Sequence, residues 1–405
     1  MLHLFWSIKR SYFAKILVVL LLSNAGVSHA AHLSFNGSTA IELRDTIINA
    51  GDGGSVTLTK DLIFTQSVPI NVANMTIRGA NKTITESGNF DVFVVNQPNV
   101  RLVNLRFIGQ TGGKFRAFIN PKASNLTVQN CFFQNGSGGI RTVGEPPKGL
   151  QVLNNTFESV PTGIAINRDV VRVSGVNQVN RALDGGSIQI TGNTLRNSAI
   201  AAITIDAGND GGVNANGSLA GQGDPRFPEY DSPLRTLVNG QVTDYFSSAQ
   251  IRSSISNNTI SGVQGFGIAL ARVNGFNILN NSIHIADTGK AFRRAIHVEN
   301  RTNGITIATN TIELSGGTGN PSAIGMVTFT DYGNPSRFVN GTRRIDILNN
   351  IIKGTGRGIV GNGFAKVSIQ NNNLDDLVGD AYSFFNASGG ANEIIASSGN
   401  NPIDP

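Results

Sequence analysis

Six side chains that carry charge or move protons fall within one stretch, Lys290, Arg293, Arg294, His297, Glu299 and Arg301. Arginine offers a planar fork of N–H donors that pairs bidentately with a carboxylate, and lysine adds a compact positive charge. Histidine titrates nearest neutrality, so it can take or give a proton at physiological pH. Such a set can hold an anionic ligand and move one of its protons. The same run without a ligand is an outward charged face that keeps the protein soluble.

Elements must aim these groups, and the alternation around them names the element. Ala295-Ile296-His297-Val298 repeats the pattern of Gly163 to Ile166, Ala202 to Ile205 and Gly267 to Leu270. Period two turns Ile, Leu and Val inward and the intervening residue outward, as in a β-strand. Stacking these strands predicts one outward row of Arg141, Ala165, Thr204, Ala269, His297, Gly325 and Val360. A second row runs Asn167, Asp206, Ala271, Glu299, Val327, Asn362. Arg168 and Arg272 flank these rows, and Ala269 and Ala271 leave room for a ligand.

A short phrase recurs upstream of each such strand: apolar, any, apolar, any, any, Asn, any, apolar. It ends around Asn155, Asn193, Asn258, Asn281, Asn310, Asn350 and Asn372, with Cys131, Leu105 and Ala80 in the Asn slot of earlier copies. Adjacent anchors without insertions lie about 22 to 26 residues apart, a solenoid period. Leucine-rich repeats share part of the pattern. Their further leucine is absent, however, and the Ile and Val of the strand positions favour pleated structure. A side-chain amide both donates and accepts, so stacked Asn residues are expected to form a buried ladder rather than a site.

The units SISNNTI, ITIATNTI and SIQNNNL, with LRDTIINAGDGGSVTL and NMTIRGANKTI at the start, resemble the right-handed parallel β-helix proteins of the pectate lyase-like superfamily. The match covers roughly residues 40 to 390. The expected fold is all-β, a single-stranded right-handed parallel β-helix solenoid of about ten coils with an N-terminal capping helix. Thr39 and Glu42 give the helix a capping-box spacing, with Ile41, Leu43, Ile47 and Ile48 as its apolar face. The resemblance is specific for fold and unspecific for activity, since that superfamily includes lyases, hydrolases, epimerases, phage tailspikes and noncatalytic surface proteins. It also implies that the strands bearing His297, walled by loops, form a polysaccharide cleft.

On that implication the ligand is an acidic, uronate-containing polysaccharide or a surface glycan. β-Elimination from a uronate needs a neutralised carboxylate, a base and an acid. His297 with Tyr230, Tyr245 or Tyr332 would move protons, and Arg272, Arg293, Arg294 or Arg301 would neutralise charge. Arg141, Asn167, Arg168, Lys290 and Arg301 complete the expected binding set with Tyr230 and Tyr332. The competing chemistry is inverting hydrolysis by Asp206 and Glu299, two coils and roughly 9.6 Å apart along the stack. A third reading is noncatalytic, a surface or adhesion protein whose groove binds glycan or host matrix. The superfamily's own catalytic patterns are missing: Arg226-Phe-Pro228-Glu-Tyr-Asp231 has Asp where a second arginine is required. No metal site is assigned, although Asp206, Asp210, Asp224, Glu229 and Asp231 supply the hard oxygens that suit Ca²⁺.

Residues 1–30 read as a secretory signal, with Lys9, Arg10 and Lys15 before an apolar core and a small-x-small site at Ser28-His29-Ala30. The mature chain is then expected to be secreted or periplasmic, with no membrane span. Cleavage lowers the net charge from +6 to +3, too little to argue for a nucleic-acid partner. The single cysteine excludes an internal disulfide, and loss of Trp6 leaves no indole for sugar stacking. Residues 31–55 form the cap, 56–390 the helix with insertions at 167–187, 206–250 and 328–344, and 391–405 a tail.

Overall fold

The computed structural model describes residues 30–110, 116–142, 149–167, 172–173, 176–177, 188–206, 235–238, 241–244, 253–271, 273–286, 293–299, 302–315, 321–327, 342–362, 364–385 and 394–401. The expected signal segment lies outside them, as does most of each of the three expected insertions. The chain winds through three long parallel sheets, called A, B and C, of 13, 11 and 11 strands. One turn of the solenoid takes Asn274–Leu279 in sheet A, Ser282–Ala286 in B and Arg294–Glu299 in C before returning to A at Asn303–Ala308. Successive strands of each sheet come from successive coils, and such parallel crossovers wind right-handed.

Inside the coil, isoleucine, valine and leucine stack in columns of fully buried side chains. Phe107, Phe133 and Phe157 form one such column, with rings 5.0 and 4.6 Å apart and 6° from parallel. Sheet B is a strand layer of its own. In the sequence its only mark was the apolar residue two places after each Asn, because most of its strands in the earlier coils are three residues long.

The corner between sheets A and B explains the Asn-Asn pairs. The first Asn takes the left-handed backbone, as Asn154, Asn257, Asn280, Asn349 and Asn371 do at φ near 55°, a region asparagine tolerates better than most residues. That turn aims the second Asn into the core. The Oδ1 of Asn281 accepts from the Asn258 backbone N–H and Nδ2 at 3.0 and 2.9 Å, while its own Nδ2 donates to Ile255 O and Asn310 Oδ1 at 2.9 Å each. The ladder runs from Asn155 to Asn372 as expected and gains Asn400 as a further rung. Cys131 heads it, donating its N–H to Asn155 Oδ1, and burial pushes its thiol up to about 12. Leu105 also points inward, but Ala80 does not: it is exposed at φ 47°, because the first coil turns through Ala80 and Asn81 together.

Both ends extend the stack past the expected boundaries. His32–Phe35 pairs with Ser55–Leu58 ahead of the cap's helix, and Ile394–Ser398 adds a strand to sheet A within the expected tail. Helix α1 (Ala40–Ala50) has the capping box in place between Thr39 and Glu42. Its buried face is Ala40, Leu43, Ile47 and Ala50, whereas Ile41 and Ile48 stay 49% and 52% exposed because they fall on its flanks.

Candidate functional site

Sheet C carries the expected rows in register. Arg141, Ala165, Thr204, Ala269, His297, Gly325 and Val360 are successive Cα partners. Beside them run Asn167, Asp206, Ala271, Glu299, Val327 and Asn362. Facing outward does not make these positions open, since Ala165, Ala271, Val327 and Val360 are buried.

Strand Arg294–Glu299 concentrates the chemistry. Side chains of Arg294, His297 and Glu299 meet on its outer side while Ile296 and Val298 enter the core. Arg294 Nη1 lies 2.6 Å from His297 Nδ1, and His297 Nε2 lies 2.9 Å from Glu299 Oε2. A guanidinium has only donors, so Nδ1 accepts and the ring proton sits on Nε2, donated to Glu299. The imidazole is 3% exposed, and burial holds its pKa below the ordinary 6.5, with the Glu299 hydrogen bond opposing. Burial likewise lowers the pKa of Arg294 against the charge of Glu299. The result is a cation, a neutral relay and an acid in one hydrogen-bonded line, with a half-buried side chain at each end and the buried imidazole between them.

Two neighbours to which the sequence assigned no role hold this line. The Phe266 ring, one coil earlier, stacks on His297 with centroids 4.6 Å apart and planes 10° from parallel. Gly325, one coil later, leaves space for Arg294: a Cβ there would lie 2.3 Å from its Cδ and 2.6 Å from its Nε. Phe266 was detectable only as the residue in register with Arg294, and Gly325 only as the one glycine of its row.

The other expected residues divide. Arg293, expected on the face with Arg294, is instead 2% exposed, and its Nη1 donates to Ala286 O at 2.7 Å. It precedes the strand at the corner between sheets B and C, so its side chain ties that corner together rather than meeting a ligand. Arg141 stands on the row, partly exposed, four coils and roughly 19 Å from His297. Asp206 and Asn167 have their backbones in the expected row, Asp206 two coils from Glu299. Arg168, Arg272, Lys290, Arg301, Tyr230, Tyr245 and Tyr332 lie outside the described residues. Among the described residues no group of three or more His, Cys, Asp or Glu side chains is placed to hold a metal ion.

Comparison with known proteins agrees with the winding. A family model described as "Right handed beta helix region" matches residues 23–177. The catalytic unit of an alpha-1,3-glucanase from Streptomyces thermodiastaticus is similar at 15% identity and a TM-score of 0.53, over 94% of this chain and 70% of that one. The alginate lyase AlyF-OU02 gives 16% identity and a TM-score of 0.43 over 93% and 91%. A tailspike protein of E. coli bacteriophage HK620 in complex with a pentasaccharide gives 11% and 0.40 over 86% and 67%. No curated protein matches the sequence.

Proposed function

We propose that this right-handed parallel β-helix is an exported protein that binds an acidic, uronate-containing polysaccharide along the outer face of sheet C. The observation that carries the reading is the line Arg294, His297, Glu299 on an otherwise small or apolar stretch of that face. A fold shared with a glucanase agrees with a saccharide ligand in general. The acidic character rests on Arg294, whose fork keeps N–H groups for a carboxylate after one is used on His297.

If the ligand is also cleaved, the roles shift from those expected of the sequence. Both ring nitrogens of His297 are engaged, so it positions Arg294 and Glu299 instead of meeting the substrate. Glu299 is then the group that takes the carbon-bound proton and, once protonated, gives it to the departing glycosidic oxygen as the C–O bond breaks, while Arg294 steadies the negative charge on the substrate's carboxylate. The same engagement of His297 favours a second reading, a noncatalytic surface or adhesion protein whose groove holds glycan.

The test incubates the protein with alginate, polygalacturonate and chondroitin, with and without Ca²⁺. It follows binding, unsaturated-uronate absorbance and reducing ends. Binding of one polymer that falls in Arg294→Ala is expected. Absorbance rising with reducing ends assigns β-elimination, and reducing ends alone assign hydrolysis by Asp206 and Glu299. Binding without turnover assigns the adhesion reading, and no binding to any acidic polymer overturns the proposal.

A further inference from the structure

The polar groups of sheet C do not end at Glu299. In the row that holds Arg294 the next partners are Ser322 and then Arg357, so the two arginines stand two coils and roughly 9.6 Å apart on one face. In the row that holds Glu299 the succession is Val327, Asn362 and Phe385. Phe385 is 51% exposed, an unusual state for a phenyl ring on a face otherwise short of aromatics. The Arg357 guanidinium lies over that ring, 5.9 Å from its centroid, and because its Nε is buried a ligand would meet the terminal Nη groups.

A planar donor group and an exposed ring side by side are what a sugar residue needs. The ring takes the apolar C–H face of a pyranose, and the guanidinium takes its hydroxyl or carboxylate oxygens. The coil between the two arginines is covered, with Ser322 and Val327 buried, so a ligand meets two separate patches and not one continuous floor.

We infer that Arg357 and Phe385 form a second saccharide subsite, toward the C-terminal end of sheet C, that engages an acidic sugar of the same chain held at Arg294. It rests on the reading of this face as a polysaccharide groove. A chain long enough to span both patches gains affinity over a short one, because the second contact is intramolecular once the first has formed.

The experiment measures binding of short and long oligouronates, prepared from whichever of the three polymers binds, to the full chain by calorimetry. Phe385→Leu keeps an apolar side chain but loses the ring, Phe385→Tyr restores it, and Arg357→Gln removes the charge. The long oligomer should bind the Leu and Gln variants about tenfold more weakly than the wild type. The short oligomer should be unaffected, and Phe385→Tyr should behave as wild type. Equal losses for short and long oligomers, or none for either, would overturn the subsite while leaving the groove. If the wild type binds no oligouronate of any length, the groove reading fails and the subsite with it. Melting temperatures of the variants show whether a loss reflects folding instead, and Arg357→Gln, on the preceding strand, gives an independent measure should Phe385→Leu fail to fold.

Discussion

The corner between sheets A and B and the outer face of sheet C both line up polar side chains coil upon coil, with opposite results. At the corner every rung is the same residue, and each Asn satisfies the next, so the amide groups are spent within the protein. On sheet C the row changes residue at nearly every coil, and three of its polar members, Arg294, His297 and Glu299, meet on one strand between Ala269 and Gly325. Repetition marks polar groups that serve the stack. A break in repetition, among small neighbours, marks groups left for a ligand.

The largest test of that contrast is Asn281→Ala. It strips acceptors from Asn258 and donors from Ile255 O and Asn310, and should cost ~1 to 3 kcal/mol in denaturant unfolding. Polysaccharide binding by the surviving folded fraction should stay as in the wild type. Unchanged stability would mean that the ladder is ornamental.

Arg294→Ala should show the reverse. Affinity for the acidic polymer should fall about tenfold, with a melting temperature close to the wild type's, because a partly exposed side chain is lost without opening the core. A large drop in stability with intact binding would move Arg294 into the structural class.

His297 supplies a pH signature smaller than either. Its folded pKa is depressed, so the folded protein keeps a neutral imidazole while the unfolded chain protonates below the ordinary 6.5. Stability from this group is therefore present above that value and declines as pH falls from about 6.5 toward the folded pKa. Thermal melts across that window should show the decline in the wild type and lack it in His297→Gln. Identical slopes would indicate that the imidazole is not held neutral.

The smallest expected effect is that of Gly325→Ala. Its φ is not in the left-handed region, so the glycine is required for space alone, and the atoms in the way belong to the flexible end of Arg294. Stability should change by less than ~1 kcal/mol. Displacing Arg294 from Nδ1 should raise the His297 pKa, readable by NMR titration of its ring protons. No movement of that titration would show that Arg294 is held by other means.

Much of this is legible in the amino-acid sequence. The Asn frame and the alternation around Ile164, Ile203, Ile268 and Ile296 depend on residues near in sequence, and coil length converts them directly into stacked rows. Asn400 carries a weak mark because Ser397 and Pro402 stand in two of the three apolar slots of its frame. Arg293 was misplaced because adjacent residues at a corner point in unrelated directions, and period two says nothing there. Phe266, Arg357 and Phe385 carry no mark in the sequence that sets them apart, and Gly325 only its place in the row.

The winding, the ladder and the membership of each row follow from the order of residues alone, because a solenoid repeats one local rule and its register follows from counting. Packing between coils sets which outward residues are covered, how Arg294 crosses Gly325 to reach His297, and which ring comes to lie on the imidazole or under Arg357. Those are matters of side-chain packing between coils some 28 or more residues apart, and no local pattern encodes the direction in which a side chain leans across its neighbour.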